Sequence, residues 1–280
     1  MKIFVLIATI DEGMCRVPEV LLSEETGVRY VVSWQQTKDE ASMIVRAQEA
    51  AAALRARTDV RVTTLEGRGL CRNRNHAIAT ALDSMDDPLE DAIFVIADDD
   101  ERLMPEAFER LRDVYGRYPK MDGALMRLLS SVDGQYFKAY PDTEVVYGRH
   151  LRSYYVCSWE MTFRARVWQT GLRFDERFGL GSERLCAGEE EVLLTDMQRK
   201  GLRVLIVPKD IGYTHPQTTG DKVLDAKVLQ SKGAVYGYQH SYVRALLRGV
   251  REALSLGVKN HKNPLPLLNE IRRGINYIRS

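Results

Sequence analysis

Three consecutive aspartates, Asp98, Asp99 and Asp100, follow closely after an uninterrupted apolar run, Ala92–Ile96. Carboxylates this close repel one another unless a cation lies between them. Mg²⁺ and Mn²⁺ prefer carboxylate oxygens and complete their coordination with phosphate oxygens and water. The triplet therefore predicts a metal site for a nucleoside diphosphate, where the cation acts as a Lewis acid on the departing diphosphate. The alternative is a solvated acidic turn before a helix that Pro105 begins.

The segments around the aspartates alternate between strand and helix patterns. Apolar runs predict strands at Ile3–Ile10, Val28–Ser33, Val60–Leu65 and Ala92–Ile96, and helical spacing predicts helices over Lys38–Arg57, from about Leu70 to Met85, and after Pro105. Such alternation predicts a parallel sheet with crossover helices. Ligands of open α/β sheets bind beyond the carboxyl ends of the strands, which is where the aspartates lie.

The second half of the chain has a different character. Tyrosines and turn residues over Gly123–Phe163 predict a mixed-sheet extension with strands at Gly123–Leu129 and Ser158–Phe163. A helix that ends at Gly201 and a strand at Arg203–Val207 follow, and the pattern from Asp221 onward is helical, broken by Pro264 and Pro266. The predicted fold is α/β, a Rossmann-type, mostly parallel sheet with helices on both faces, a mixed-sheet extension and a helical C-terminal tail.

Composition limits the classes of function. The 280 residues contain 40 Lys and Arg against 39 Asp and Glu, so no overall positive field marks a nucleic-acid partner. The four cysteines, which form no C-x-x-C pair, disfavour a disulfide framework and a structural zinc site and fit a reducing compartment. The run Ile3–Ile10 is too short for a signal peptide, and no apolar stretch is long enough to span a membrane. We expect a cytoplasmic protein.

The C-terminal tail is the one basic region. Residues 241–280 contain eight Lys and Arg against two Glu, a surplus of six positive charges. Such a tail is compatible with peripheral contact at the inner face of an anionic membrane, which would suit a lipid-linked acceptor. A solvated helical face or a contact within a homo-oligomer is the plainer explanation and is slightly favoured.

Several motifs follow one another in the order known from one enzyme family. They are Gly69-Leu70-Cys71-Arg72-Asn73, the run from Asp98 to Pro105, Phe174-Asp175-Glu176-Arg177-Phe178, Gly188-Glu189-Glu190, and a late histidine, His215. Over about residues 1–217 the chain resembles the inverting family 2 glycosyltransferases of the GT-A fold. The resemblance implies a GT-A domain over residues 1–220, with a nucleotide-sugar-binding half (1–105) and an acceptor-binding half (106–220), and a helical extension over 221–280.

The resemblance also implies roles for individual residues. Asp100 would bind Mn²⁺ or Mg²⁺, with His215 completing the metal shell or binding phosphate, and Asp98 and Asp99 would contact ribose, donor sugar or metal-bound water. Arg72 would meet the diphosphate at a helix start. Inverting transfer needs a carboxylate that takes the proton of the acceptor hydroxyl, and Glu190 is the candidate, with Glu189 and Glu191 as rivals. A structural Arg72, a structural His215 and helix-capping glutamates remain the alternatives.

Departures from the family pattern concern the residue that reads the donor base, the motif that ends the first strand, and the general base, where the family's Gly-Glu-Asp has become Gly188-Glu189-Glu190. The aspartate that reads the base at the end of the second strand is absent here, so Ser33 or Gln35 would take its place. Thr9 is the single match in the motif that ends the first strand. On the acceptor side, Trp159 is the tryptophan assigned to the cleft, and Gly181 belongs to the glycine-bearing loop before the glutamates.

The predicted function is a metal-dependent inverting glycosyltransferase that moves a sugar from a UDP- or GDP-linked donor to a saccharide or lipid-linked acceptor hydroxyl in cell-surface polysaccharide synthesis. A nucleotidyltransferase that makes nucleotide sugars is one alternative, although no glycine-rich phosphate loop follows the first strand. A dinucleotide-dependent oxidoreductase is disfavoured because no G-x-G-x-x-G follows a strand. A non-catalytic carbohydrate-binding relative is the remaining alternative.

Overall fold

The computed structural model of the chain describes residues 1–37, 45–85, 87, 91–136, 138–149, 154–216 and 222–280. The chain divides into two compact units. The first, here the sheet unit, comprises Met1–Arg68, Arg72–Arg173 and Met197–Pro216; the second, the helical unit, comprises Gly69–Cys71, Phe174–Asp196 and Gln217–Ser280. The helical unit thus includes two segments from the first 220 residues. The predicted domain boundary at residue 220 lies outside the described residues and stays a prediction.

The sheet unit contains one mixed sheet, and within the described residues it has nine strands. They are β1 (Lys2–Ile10), β2 (Val28–Gln36), β3 (Val60–Glu66), β4 (Ala92–Asp98), β5 (Arg102–Leu103), β6 (Gly123–Ser130), β7 (Val145–Val146), β8 (Met161–Arg164) and β9 (Val204–Thr214). The strand order is β3-β2-β1-β4-β8-β6-β9-β5, with β7 paired to β9. Strands β1 to β4 are parallel, whereas β8 runs antiparallel to both of its neighbours. The predicted α/β fold with a mixed-sheet extension is confirmed.

The strand order creates a crevice at the carboxyl ends of β1 and β4. From β1 the chain proceeds outward to β2 and β3 and then returns to add β4 on the other side of β1. Ala8 pairs with Ser33 on one side and with Asp98 on the other, so these three residues lie level with one another near the carboxyl ends of their strands. Ligands of open α/β sheets bind at such a reversal of strand order. The fold therefore brings the acidic triplet to a predictable binding position.

The helices have the following bounds: α1 (Val17–Val20), α2 (Val45–Arg55), α3 (Leu70–Asp83), α4 (Ala107–Arg117), α5 (Ala165–Gln169), α6 (Glu189–Arg199), α7 (Ala226–Gln239), α8 (Tyr242–Asn260) and α9 (Pro264–Arg279). The predicted helix Lys38–Arg57 is seen from Val45 to Arg55, and its residues 38–44 lie outside the described ones. The four cysteines are free thiols.

The core of the sheet unit follows the sequence pattern closely. The six residues Ala92–Ala97 of β4 are all buried, as expected for a central strand with both faces covered. On α4, Phe108, Leu111 and Tyr115 are buried together, which confirms the predicted apolar face. They pack with β1 and β2 residues in one apolar cluster, and this packing fixes β4 and the residues that follow it.

The predicted strand Ser158–Phe163 is wrong in its first half. Ser158–Glu160 form a turn of 3₁₀ helix, and β8 begins only at Met161. The side chains explain this difference, because Ser158 Oγ accepts a hydrogen bond from Arg74 and the buried Glu160 carboxylate accepts from Tyr140 and Tyr154. These side-chain hydrogen bonds override the strand-like pattern of the segment.

The strand predicted at Arg203–Val207 is longer than its sequence suggests. It continues as β9 through Pro208 to Thr214. The pairing of β9 with β6 shifts register around Arg127, so a regular ladder hydrogen bond is not required at the proline. The longer strand carries the chain directly to His215.

The helical unit is built on a close contact between α7 and α9. A Cβ atom on Gly233 would collide with the carbonyl oxygen of Ile271, and one on Gly274 would collide with that of Gln230. Both positions therefore require glycine. The prediction that Pro264 breaks the C-terminal helical region is wrong, because this residue starts α9, where its missing N–H costs nothing. Asn263 caps the helix by accepting a hydrogen bond from the Leu265 N–H at 2.9 Å.

Candidate active site

Asp98 is held by an arginine that the sequence motifs did not indicate. The Nη2 atom of Arg74, on α3, donates to both carboxylate oxygens of Asp98 at 2.9 and 3.1 Å and to Ser158 Oγ at 2.7 Å. The Arg74 side chain is only 2% exposed, whereas that of Asp98 is 26% exposed. The buried Arg74 therefore compensates the charge of Asp98 from the protein interior and leaves part of the Asp98 carboxylate accessible from the crevice.

Asp99 is neutralised from the other side. One of its oxygens accepts from Thr9 Oγ1 at 2.5 Å, and the other accepts from both Nε and Nη2 of Arg16. Arg16 follows a 3₁₀ turn at Asp11–Cys15 that reverses the chain after β1. A Cβ atom on Gly13, within this turn, would collide with the Asp99 carboxylate. The glycine thus lets the turn approach Asp99 closely enough for Arg16 to reach it.

Asp100 differs from its two neighbours. No ion pair or side-chain hydrogen bond joins it to another described residue, and its side chain is exposed at the crevice. Its pKa is raised, first by partial loss of hydration among neighbouring atoms and then by repulsion from Asp98 and Asp99. The next residue, Glu101, is buried, and burial followed by the charge of Asp98 raises its pKa well above its usual value. Among the three aspartates, Asp100 is therefore the one whose carboxylate is exposed and is not engaged in an ion pair with another described side chain.

This arrangement fits a divalent cation that shares its ligands with a substrate. Among the described residues no group of three or more His, Cys, Asp or Glu forms a complete metal site. Magnesium in particular is commonly held by one or two carboxylates plus substrate phosphates and water. Asp100 can supply the one carboxylate, because Arg16 and Arg74 already engage the other two. His215 directly follows β9 and is exposed, and its part in the metal shell stays a prediction.

Two buried polar residues lie near the carboxyl end of β2, beside the end of β1. Ser33 is fully buried and Gln35 is 2% exposed. Ser33 Oγ and Gln35 Nε2 have no hydrogen-bond partner among the described residues. Because buried polar atoms are seldom left unpaired, they favour a water or a ligand edge at this point. Their assignment to the donor base stays a prediction.

The first turns of α3 contain Arg72, Asn73 and Arg74, whose side chains make different contacts. Asn73 Nδ2 donates to the carbonyl oxygen of Thr9 at 2.9 Å and so ties α3 to the end of β1. Arg72 is exposed, and its Nη1 donates to the carbonyl oxygen of Glu66 at 2.9 Å rather than to a carboxylate. The role of Arg72 in donor binding stays a prediction, while Arg74 is the α3 arginine that contacts the acidic triplet.

This difference between the two arginines predicts unequal effects of substitution. Arg74→Met should lower the free energy of unfolding by about 2–3 kcal/mol, because it leaves Asp98 and Ser158 without their buried donor. Arg72→Met removes one exposed hydrogen bond and should cost less than about 1 kcal/mol. Urea unfolding of both variants measures the two values. Equal losses would contradict the contacts described for Arg74.

Trp159 lies in the 3₁₀ turn beside Ser158. Its ring is half-buried and packs against the apolar core of the sheet unit. It also lines, with Glu101 and core residues of β1 and β4, an internal cavity of about 10 Å³, which is about the space of one water molecule. Only part of the ring is therefore available to a ligand, and the acceptor role of Trp159 stays a prediction.

The candidate general base lies in the helical unit, at the start of α6. Glu189, Glu190 and Glu191 form its first turn, where the helix dipole favours negative charge. Glu189 is buried, and a Cβ atom on Gly179 would lie 3.3 Å from its carboxyl carbon. Glu190 is only half-buried and thus more accessible. Gly181 is exposed, with a φ of +79° that favours glycine. The roles of Glu189, Glu190 and Gly181 stay predictions.

Comparison with known proteins identifies the fold. No protein-family model and no curated protein sequence matches the chain. In three dimensions it is similar to the crystal structure of S. aureus TarS 1–349, with 13% identity and a TM-score of 0.59 over 99% of this chain and 83% of that one. With TarS 1–349 in complex with UDP-GlcNAc the TM-score is 0.62, again at 13% identity, over 99% and 84% of the two chains. With the longer S. aureus TarS it is 0.55 at 15% identity, over 99% and 50%. The chain has the GT-A fold.

Proposed function

We propose, from this GT-A fold, that the chain is a metal-dependent inverting glycosyltransferase with a UDP-linked sugar donor. The observation that carries the proposal is the acidic strand end, where the exposed Asp100 carboxylate, which no ion pair joins to another described residue, lies at the point of reversed strand order. The structurally similar TarS 1–349 has been crystallised with UDP-GlcNAc. This likeness favours a UDP-linked over a GDP-linked donor and makes UDP-GlcNAc the first donor to test.

The residues of the sheet unit would bind and orient the donor. Asp98 keeps a partly exposed carboxylate that Arg74 fixes in position, which suits a hydrogen bond from a ribose or sugar hydroxyl. Arg16 is 58% exposed despite its ion pair with Asp99, so its guanidinium can meet a phosphate oxygen at the rim of the crevice. When bound through Asp100, Mn²⁺ or Mg²⁺ would offset the negative charge that develops on the diphosphate leaving group.

Glu190 would take the proton of the acceptor hydroxyl. Inversion requires the acceptor oxygen to attack the anomeric carbon opposite the leaving group, with a carboxylate within hydrogen-bond reach of its proton. The half-buried position of Glu190 suits contact with an acceptor, whereas Glu189 packs beside Gly179 and Cys71. A saccharide or lipid-linked acceptor in cell-surface polysaccharide synthesis is the acceptor class that we propose.

A thermal-shift panel tests the proposal. UDP-GlcNAc with Mn²⁺ should raise the melting temperature by a few degrees, because a ligand at about 100 times its Kd adds about 2.7 kcal/mol to the folded state. GDP-mannose should give a smaller shift. Asp100→Ala should abolish the metal-dependent shift, whereas Glu49→Ala, which removes an exposed acid on α2, should retain it.

The outcomes separate the alternatives. UDP release that depends on an added saccharide acceptor supports transfer, and a thermal shift without any UDP release supports a non-catalytic carbohydrate-binding relative. Consumption of a nucleoside triphosphate and a sugar phosphate would indicate a nucleotidyltransferase. No shift with either nucleotide sugar, with or without metal, would contradict the proposal.

A further inference from the structure

Helix α8 has two apolar faces, and only one of them is used in the helical unit. Its inner face buries Ala245, Ala253 and Leu256 in the apolar cluster shared with α7 and α9. A second row of apolar residues is exposed to solvent, from 39% for Val250 to 79% for Val258. The row is Val243, Leu247, Val250, Leu254 and Val258. We call this row the α8 stripe.

The spacing of the α8 stripe is that of a continuous helical surface. Its members follow one another at intervals of four, three, four and four residues, so they lie on one side of the helix over its whole length. Leu265, at the start of α9, adds another aliphatic side chain that is 64% exposed. A row of large aliphatic residues exposed to water lowers solubility without stabilising the fold, and such patches mark interaction sites.

Positive charges border the α8 stripe. Arg244 and Arg251, seven residues apart, lie next to the stripe on the helix circumference, and both are exposed. The two acids of residues 241–280 are engaged elsewhere, because Glu252 pairs with Lys232 and Glu270 pairs with Arg273. The surface around the stripe is therefore apolar at its centre and cationic along its edge.

We propose that the α8 stripe docks the chain on an anionic lipid surface. The aliphatic row would enter the boundary between headgroups and acyl chains, while Arg244 and Arg251 contact lipid phosphates. No helix of the described residues is long and apolar enough to cross a membrane, so the contact is interfacial. This inference does not depend on the proposed transferase activity, although it would bring the chain to a lipid-linked acceptor.

The charges beside the α8 stripe favour an anionic lipid surface over a second copy of the chain or a nucleic acid. In an antiparallel twofold dimer through α8, the cationic edge of one copy would meet the cationic edge of the other, and like charges across an interface are unfavourable. Nucleic acid would use the arginines but not the aliphatic row, since stacking on bases requires aromatic side chains.

Vesicle sedimentation tests the proposal. The full chain should co-sediment with vesicles of phosphatidylglycerol and phosphatidylcholine, and binding should fall with added salt and be much weaker with phosphatidylcholine alone. The double variant Leu247→Ser, Leu254→Ser should bind anionic vesicles more weakly by roughly tenfold or more, and so should Arg244→Gln, Arg251→Gln. Val45→Ser is the matched control, since Val45 on α2 is as exposed as Leu247, at 65%.

Several results would overturn the proposal. They are no binding to anionic vesicles, binding that the Leu247 and Leu254 substitutions leave intact, and a loss of binding equally large in Val45→Ser. A dimer in solution that these substitutions convert to a monomer, without vesicle binding by the wild type, would assign the stripe to a second copy instead. Circular dichroism of each variant verifies that the exposed substitutions leave the helices formed.

Discussion

Replacement of Glu190 by glutamine is expected to reduce glycosyl transfer by roughly 10²- to 10⁴-fold while donor binding stays within about twofold of wild type. Glutamine keeps the size of the side chain and loses the ability to accept the proton of the acceptor hydroxyl. The residues proposed to bind the donor, Asp98, Asp100 and Arg16, do not include Glu190. Donor binding should therefore depend little on this substitution.

The measurement is UDP release with UDP-GlcNAc, Mn²⁺ and a saccharide acceptor, together with the donor-induced thermal shift of the same variant. A base acts on turnover, so kcat should fall while the thermal shift is retained. Glu191→Gln is the matched control, because it removes a carboxylate from the same helical turn. Normal turnover in Glu190→Gln with lost turnover in Glu191→Gln would transfer the role to Glu191.

Glu189→Gln has a different expected signature. Its carboxyl group is buried beside Gly179 and Cys71, so a change there should alter stability as well as activity. A fall in melting temperature and turnover together would mark Glu189 as a residue that shapes the loop before α6. A fall in turnover alone would make it the base.

The acidic strand end could be predicted from sequence because its signals are local. An apolar run of strand length followed by three aspartates specifies both a buried central strand and charge at its end. The same locality explains the correct apolar face of α4, where Phe108, Leu111 and Tyr115 share a helical phase. In both cases the residues close by in sequence are enough to specify the local structure.

Arg74 was missed although the sequence contained a signal for it. It precedes Ala77, Ile78 and Ala81 by three, four and seven residues, so it lies on the buried face of α3, whereas Arg72 falls outside that row. The family motif ends at Asn73, so it contains Arg72 and does not include Arg74. Helical phase indicates which arginine points toward the sheet.

The partner of Asp99 could not be predicted in this way. Arg16 is 83 residues away in sequence and reaches Asp99 only because the chain turns tightly at Gly13 after β1. No periodicity joins these two positions. The turn at Ser158–Glu160 is a similar case, since its hydrogen-bond partners are Arg74 on α3 and the hydroxyl groups of Tyr140 and Tyr154.

Replacement of Lys138 by methionine is expected to lower the free energy of unfolding by about 3–5 kcal/mol. Lys138 is 4% exposed and pairs with Glu160, which is fully buried. Its ammonium group also lies 4.3 Å from the ring centroid of Tyr154, 4.7 Å from that of Tyr155 and 5.0 Å from that of Tyr140. Methionine fills a similar volume but leaves the Glu160 carboxylate buried without a cation.

The destabilisation should depend on pH. Burial already raises the pKa of Glu160, and Lys138 opposes that rise. Without the lysine the folded-state pKa should rise further, so the folded chain binds a proton that the unfolded chain has released. The part of the cost that comes from the Glu160 charge is then absent below the unfolded pKa of about 4.3 and grows as the pH increases above it. Urea unfolding at pH 5 and pH 8 should show the larger loss at pH 8.

The double variant Lys138→Met, Glu160→Gln separates the ion pair from packing. It removes both charges and keeps a group that can hydrogen-bond to Tyr140 and Tyr154, so it should recover much of the stability lost in the single variant. Lys120→Met, at an exposed lysine, should change stability by less than about 0.5 kcal/mol. A single variant as stable as this control, or a double variant no more stable than the single one, would contradict the ion-pair explanation.

Because Glu160 ends the turn from which Ser158 contacts Arg74, a rise in the KM for the donor should accompany the lost stability and be reversed in the double variant.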